Sequence, residues 1–215
     1  MVELSIDVAT RERVGEGGGL VVLGCLEGET PDFGGLPPDL AATAARLAAR
    51  SGWTGKEDQR VETEVVHGSL ALALFGLGGA REFSMRSAVE FVSEAVDTSR
   101  RGGWGSLVVA VPSHTAVRGT EAGERLLRHA ALCGYRYARY LSEVPNGGLH
   151  RAEVLPPRGE EQAYRSALGL ARAIAAGVVT TRDLANSPPN EATPAWMEDR
   201  CRELAASRGL EIEVV

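Results

Sequence analysis

Val2, Leu4, Ile6 and Val8 alternate with Glu3, Ser5 and Asp7, a period of two that predicts a half-buried strand near a sheet edge. Leu20–Leu26 and Ser106–Val111 are of another kind. They are apolar at nearly every position and bounded by Gly or Pro, which predicts strands covered by helices on both faces. Leu70–Phe75 is a third such run, and Val61–Val66 alternates again and predicts a strand paired with it.

The segments between these runs keep helical spacing. Met85, Ala88, Val89, Val92, Ala95 and Val96 form one stripe, and Arg86, Glu90, Ser93, Glu94 and Asp97 the opposite one, so this helix lays one face on a sheet. Leu40, Ala44 and Leu47 mark a first helix. Ala122, Leu126, Ala130, Cys133 and Tyr137 mark another that starts after Gly119-Thr120. Beyond a strand near Ala152–Leu155, a seam of Tyr164, Ala167, Leu168, Ala171, Ile174, Ala175 and Val178 predicts a helix long enough to connect domains. It has to stop at Asn186-Ser187-Pro188-Pro189-Asn190, because proline lacks an amide donor and bars the helical conformation from the residue before it. A new helix follows, with Thr193 as cap, Pro194 at the first position, and Met197, Cys201 and Leu204 as its stripe. Glu211–Val215 then begins a strand.

Composition narrows the function classes. At 215 residues and 44% hydrophobic, the chain can build one sizeable core and the start of a second unit. Asp and Glu number 29 against 23 Lys and Arg, a formal charge of -6, so the surface as a whole repels phosphate backbones and nucleic acid is not the expected partner. Lys56 is the sole lysine. Cys25, Cys133 and Cys201 are odd in number and far apart, which reads as buried free thiols in a reducing compartment. With neither a basic, apolar leader nor a run approaching the roughly 20 apolar residues of a membrane span, a soluble, cytoplasmic protein is expected.

At the proline-rich linker the residues resemble a known family. Thr181-Arg182-Asp183-Leu184-Ala185-Asn186-Ser187-Pro188-Pro189-Asn190-Glu191-Ala192-Thr193-Pro194 is similar to the domain junction of M17 leucyl aminopeptidases, with its Arg-Asp-Leu, Asn-x-Pro-x-Asn and Thr-Pro elements. Upstream, Trp53-Thr54-Gly55-Lys56-Glu57 resembles that family's aromatic-x-Gly-Lys loop. Gly76-Leu77-Gly78-Gly79 resembles its Gly-Leu-Gly turn, and Gly134–Tyr140 its Gly-x-Tyr-Arg-Phe helix segment. All four stand in the family's order.

The resemblance implies an α/β fold: a three-layer α/β/α sandwich, macro-domain-like, with a mixed sheet and a long C-terminal connecting helix. It places a non-catalytic amino-terminal domain at residues 1–157, the interdomain helix and linker at 158–192, and the opening helix and strand of a catalytic domain at 193–215. In the family, two divalent metal ions, zinc or manganese, are held by a lysine and several Asp and Glu residues, notably in an Asn-Thr-Asp-Ala-Glu-Gly-Arg motif. That motif is absent here and Lys56 lies far upstream of the linker, so no residue of this chain is assigned as catalytic, cofactor-binding or metal-ligating. The implied parent is a hexameric metalloaminopeptidase that removes amino-terminal residues from peptides. This domain would serve assembly, solubility and access to the active site.

Other features compete with that reading. Gly76–Gly79 follows an apolar strand and precedes a helix, a setting in which backbone amides can cradle phosphate, although the spacing departs from the dinucleotide fingerprint and a structural turn is the simpler account. A macro-like module for ADP-ribose or another nucleotide is therefore the alternative function. His67, His114, His129 and His150 lack ligand spacing. Ser113-His114 reads poorly as a nucleophile and base, because neighbours on a strand point to opposite faces. Arg136 and Arg139 with Tyr135, Tyr137 and Tyr140 could stack on bases. The plainer account puts Tyr137 toward the core and the arginines over the surface. Glu121, Glu124, Glu160 and Glu161 fall in first turns of predicted helices, where they complement the dipole. A DNA-contacting accessory role rests on analogy within the family alone.

Overall fold

The computed structural model describes residues 4–29, 32–34, 36–50, 52–137, 139–140 and 148–213. Contacts divide the chain into two compact units, Met1–Ala176 and Gly177–Val215.

The first unit is built on a six-stranded sheet in the order β1-β6-β5-β2-β4-β3. The strands are β1 (Ser5–Val8), β2 (Gly19–Glu27), β3 (Arg60–His67), β4 (Leu70–Gly79), β5 (Ser106–Ala110) and β6 (Arg151–Leu155). β3 runs antiparallel to β4, and the other pairings are parallel. β1 lies at one edge, as its alternation predicts, although Val2 falls outside the described residues. The continuously apolar β2, β4 and β5 occupy central positions, because only there are both faces of a strand covered.

The two faces receive different helices. Val21, Leu23 and Cys25 of β2 point, with Leu72 and Leu74, toward Leu40, Ala44 and Leu47 of α1 (Pro38–Ala48). The alternate residues Leu20 and Val22, with Ala73, Phe75, Leu107 and Val109, face the other helices. There, α2 (Met85–Arg101) supplies Phe91, Val92 and Val96. α3 (Gly119–Cys133) supplies Leu126 and Leu127, and the first half of α4 (Glu161–Asn186) supplies Tyr164, Ala167, Ala171 and Ala175. The result is an α/β sandwich of three layers with a mixed, mostly parallel sheet. In the second unit, α4 ends at Asn186, just before the proline pair. α5 (Pro194–Arg208) begins under a cap in which the Thr193 hydroxyl accepts from Trp196 N–H.

Several expectations fail for identifiable reasons. Gly76–Gly79 is the end of β4 rather than a turn after it, paired with Cys25 and Glu27 of β2 at its two ends. Tyr135–Tyr140 is not helical where it is described. α3 ends at Cys133, and Gly134 sits where a Cβ would run into the Leu4 side chain. Among the thiols only Cys25 is buried. Cys133 is half-buried and Cys201, on a thinly covered helix, is exposed. Residues 211–213 pair with no strand, and Val214 and Val215 lie outside the described residues.

Candidate functional site

The chain leaves β2 through α1 and β3 to reach β4 on one side, then returns through α2 to reach β5 on the other. The carboxyl ends of β2 and β5 therefore splay at a topological switch point, where open α/β sheets form their crevices. A cavity of about 70 Å³ lies there, lined by Cys25, Glu29, Asp32, Phe33 and Ser113 among others, with Arg11 at its wall.

Arg11 is the group that gives this cavity its chemistry. Its side chain is only 12% exposed, with Nη2 3.4 Å from Asp32 Oδ2. Nη1 donates to the Gly34 carbonyl at 3.1 Å. Its Nε is buried and lacks a hydrogen-bond partner among the described residues. Burial lowers the pKa of this guanidinium, and the Asp32 carboxylate acts against that shift. Asp32 also accepts from Arg158 Nε at 2.7 Å, which ties the segment after β2 to the one after β6. The neighbouring Cys25 thiol is pushed up to about 12 by burial, so it stays protonated near neutral pH and is no nucleophile.

The glycine-rich stretch has a structural purpose instead. The loop Trp53–Glu57 lies directly against it: Gly76 N–H donates to the Gln59 carbonyl at 2.8 Å and Gly78 N–H to the Gly55 carbonyl at 3.1 Å. Gln59 Oε1 holds the loop in turn, accepting from Thr54 N–H at 3.0 Å and Lys56 N–H at 3.1 Å. A Cβ at Gly55, where φ is +80°, would come within 2.8 Å of the Leu26 carbonyl oxygen. Two of the amides that a phosphate would need are thus already bonded to the protein, and Lys56 is exposed.

The remaining singled-out residues disperse. His67 meets Asp39 at 2.9 Å on the surface. His114 Nδ1 accepts from Ala116 N–H at 3.1 Å, and its ring stands edge-on to Phe83, while Ser113 lines the cavity. Glu160 reaches across to accept from Gly119 N–H at 2.8 Å, so it caps α3 rather than its own helix. Glu121 and Glu161 lie in first turns, and Glu124 pairs with Arg128 at 2.6 Å. The Tyr137 ring tilts against Tyr140, over which Arg139 lies. Sequence reasoning missed Arg11 and Asp32, and no local pattern marks them.

No family model matches the chain. Curated relatives do. A probable cytosol aminopeptidase of Ralstonia pickettii (strain 12J) is 26% identical over 208 residues, covering 91% of this chain and 41% of the relative. One of Roseiflexus castenholzii (strain DSM 13941 / HLO8) is 29% identical over 204 residues, covering 91% and 39%. The chain therefore spans about two fifths of the length of the curated relatives it matches. Among solved structures, a mutant of tomato leucine aminopeptidase superposes with a TM-score of 0.66 at 19% identity, over 96% of this chain and 42% of that one. The bottromycin maturation enzyme BotP in complex with Mn does so with 0.64 at 24%, over 90% and 37%. At these identities the structural likeness concerns the fold. Among the described residues no helix is long and apolar enough to cross a membrane, and no group of three or more His, Cys, Asp or Glu could hold a metal ion.

Proposed function

We propose, from the premise that this chain is kin to the amino-terminal region of the cytosol aminopeptidases, that it is the non-catalytic amino-terminal domain of a metal-dependent leucyl aminopeptidase. The observation that carries this reading is the matched span: nine tenths of this chain align with only about two fifths of the Ralstonia and Roseiflexus relatives. The parent hydrolyses amino-terminal residues from peptides by metal-activated water, with two zinc or manganese ions seated in the part of the parent outside the match. Residues 1–157 form the domain proper, 158–192 the connecting helix and linker, and 193–215 the opening of the catalytic domain. Its work is assembly into a cytoplasmic homo-oligomer, a hexamer in the full-length parent, and shaping the approach to the active site.

An aminoacyl chromogenic substrate with added manganese tests the division of labour. The purified chain is expected to give no metal-dependent turnover, and turnover would overturn it. The second reading, a macro-like module for ADP-ribose, is favoured by one feature, the cavity at the carboxyl ends of β2 and β5. At about 70 Å³ it is far below the roughly 300–1,000 Å³ of pockets that enclose such ligands. Calorimetry with ADP-ribose is expected to be flat, and a saturable heat would revive the module reading.

A further inference from the structure

β2 keeps its pairing with β4 as far as Glu27 and Gly79 but loses its pairing with β5 after Leu23 and Ala110. The cause is local. Val111 N–H donates to the Leu155 carbonyl of β6, and the next residue, which would turn its amide toward β2, is Pro112 and has none. The cavity of about 70 Å³ opens where the two strands part.

Arg11 is the cation on its wall, with a side chain only 12% exposed. Nη1 donates to the Gly34 carbonyl, but Nε has no hydrogen-bond partner among the described residues. Nη2 stands 3.4 Å from Asp32 Oδ2, an ion-pair distance longer than an ordinary N–H···O bond. Nε and Nη2 make up the side-on edge with which a guanidinium holds a carboxylate through two parallel bonds. Asp32 does not fill that edge, because its Oδ2 is drawn to within 2.7 Å of Arg158 Nε. Desolvation is the largest influence on the Arg11 guanidinium and works against its charge, so Asp32 compensates it incompletely.

The rest of the lining restricts what a second anion can be. Leu26, Leu36 and Leu155 offer apolar surface, and Ser113 brings a hydroxyl that can donate to a second oxygen. Glu29 and Asp32 set carboxylates on the same wall, which oppose any further negative charge. At roughly 15 Å³ for each water-sized group, a cavity of about 70 Å³ holds about five such groups. We propose that this cavity is a binding site for a short aliphatic monocarboxylate, of the size of acetate to butyrate, with its carboxylate on the Nε–Nη2 edge of Arg11 and its alkyl tail against the leucines. A dianion such as sulfate is repelled by Glu29 and Asp32, a neutral amide of the same shape leaves the guanidinium uncompensated, and octanoate exceeds the space. The site stands apart from the aminopeptidase reading.

An amide NMR titration of the intact chain with propionate at fixed ionic strength tests it. The signals of Gly24, Leu26, Val111 and Ser113 are expected to move saturably, with half-saturation on the order of 1 mM, the scale open to so small a ligand. Sulfate, propionamide and octanoate at the same concentration are expected to leave those signals in place. Arg11→Lys keeps a charge but loses the side-on edge, and is expected to weaken propionate at least about tenfold. The proposal is overturned if propionate moves none of these amides, if sulfate, propionamide or octanoate moves them equally, or if a folded Arg11→Lys binds propionate as the wild type does. The comparison of ligands on the wild type decides the matter even where the variant does not fold.

Discussion

At Gly76 a side chain has nowhere to go. A Cβ there would overlap the Lys56 carbonyl oxygen and come within 2.8 Å of the Gly55 carbonyl carbon, and both belong to a backbone pinned by Gln59. Gly169, in α4, meets nothing within 4 Å. The same substitution is therefore expected to act with opposite sign. Gly76→Ala should cost at least about 2 kcal/mol by urea denaturation. Gly169→Ala should stabilise by up to about 1 kcal/mol through helix propensity. Cys25 gives a second residue-scale expectation, in pH. Its thiol ionises near 9.0 when solvated but only near about 12 in the fold, where burial raises it. Folding therefore favours the protonated form. That contribution is whole below pH 9.0 and falls by about 1.4 kcal/mol per pH unit as pH rises toward the folded value. Cys25→Ala lowers stability below pH 9.0 but removes this slope, so urea midpoints of variant and wild type should converge above about pH 9.

The ends of the elements are where sequence and structure can be compared most sharply. α2 starts on a reciprocal cap, with Ser87 N–H donating to Ser84 Oγ and Ser84 N–H to Ser87 Oγ, each at 3.3 Å. Because α2 packs Phe91, Val92 and Val96 into the core on one face of the sheet, Ser84→Ala is expected to cost about 1 kcal/mol of global stability, and Ser84→Gly only a few tenths, by chemical denaturation. Such local grammar is legible: the prolines after Asn186 stop α4, Thr193 caps α5, and unbroken apolar runs mark β2, β4 and β5. The end of β4 was not legible, because its glycines answer a loop about 20 residues earlier in the chain rather than any turn of their own. The cavity is hidden for the same reason, since Asp32 and Arg158 are 126 residues apart when they meet.

Across the molecule, burial is distributed unevenly enough to predict which parts open first. The first unit holds its strands between two apolar layers, with Leu20, Val22, Leu72, Leu74 and Leu107 essentially inaccessible. α5 buries only Ala205, while Met197 and Leu204 are 38% and 43% exposed. What holds α5 locally is its Thr193 cap and short-range pairs such as Glu198 with Arg202. A pair of that kind contributes about 0.3–0.5 kcal/mol, and a helix of this length is marginal in water without tertiary packing. The amides of α5 are therefore expected to exchange with deuterium at least about 100-fold faster than those of β2 and β5. Equal protection would mean that the exposed side of α5 is held by contacts its burial does not predict. In the full-length aminopeptidase proposed above, the same amides should gain protection, because Met197 and Leu204 would there have an apolar partner to pack against.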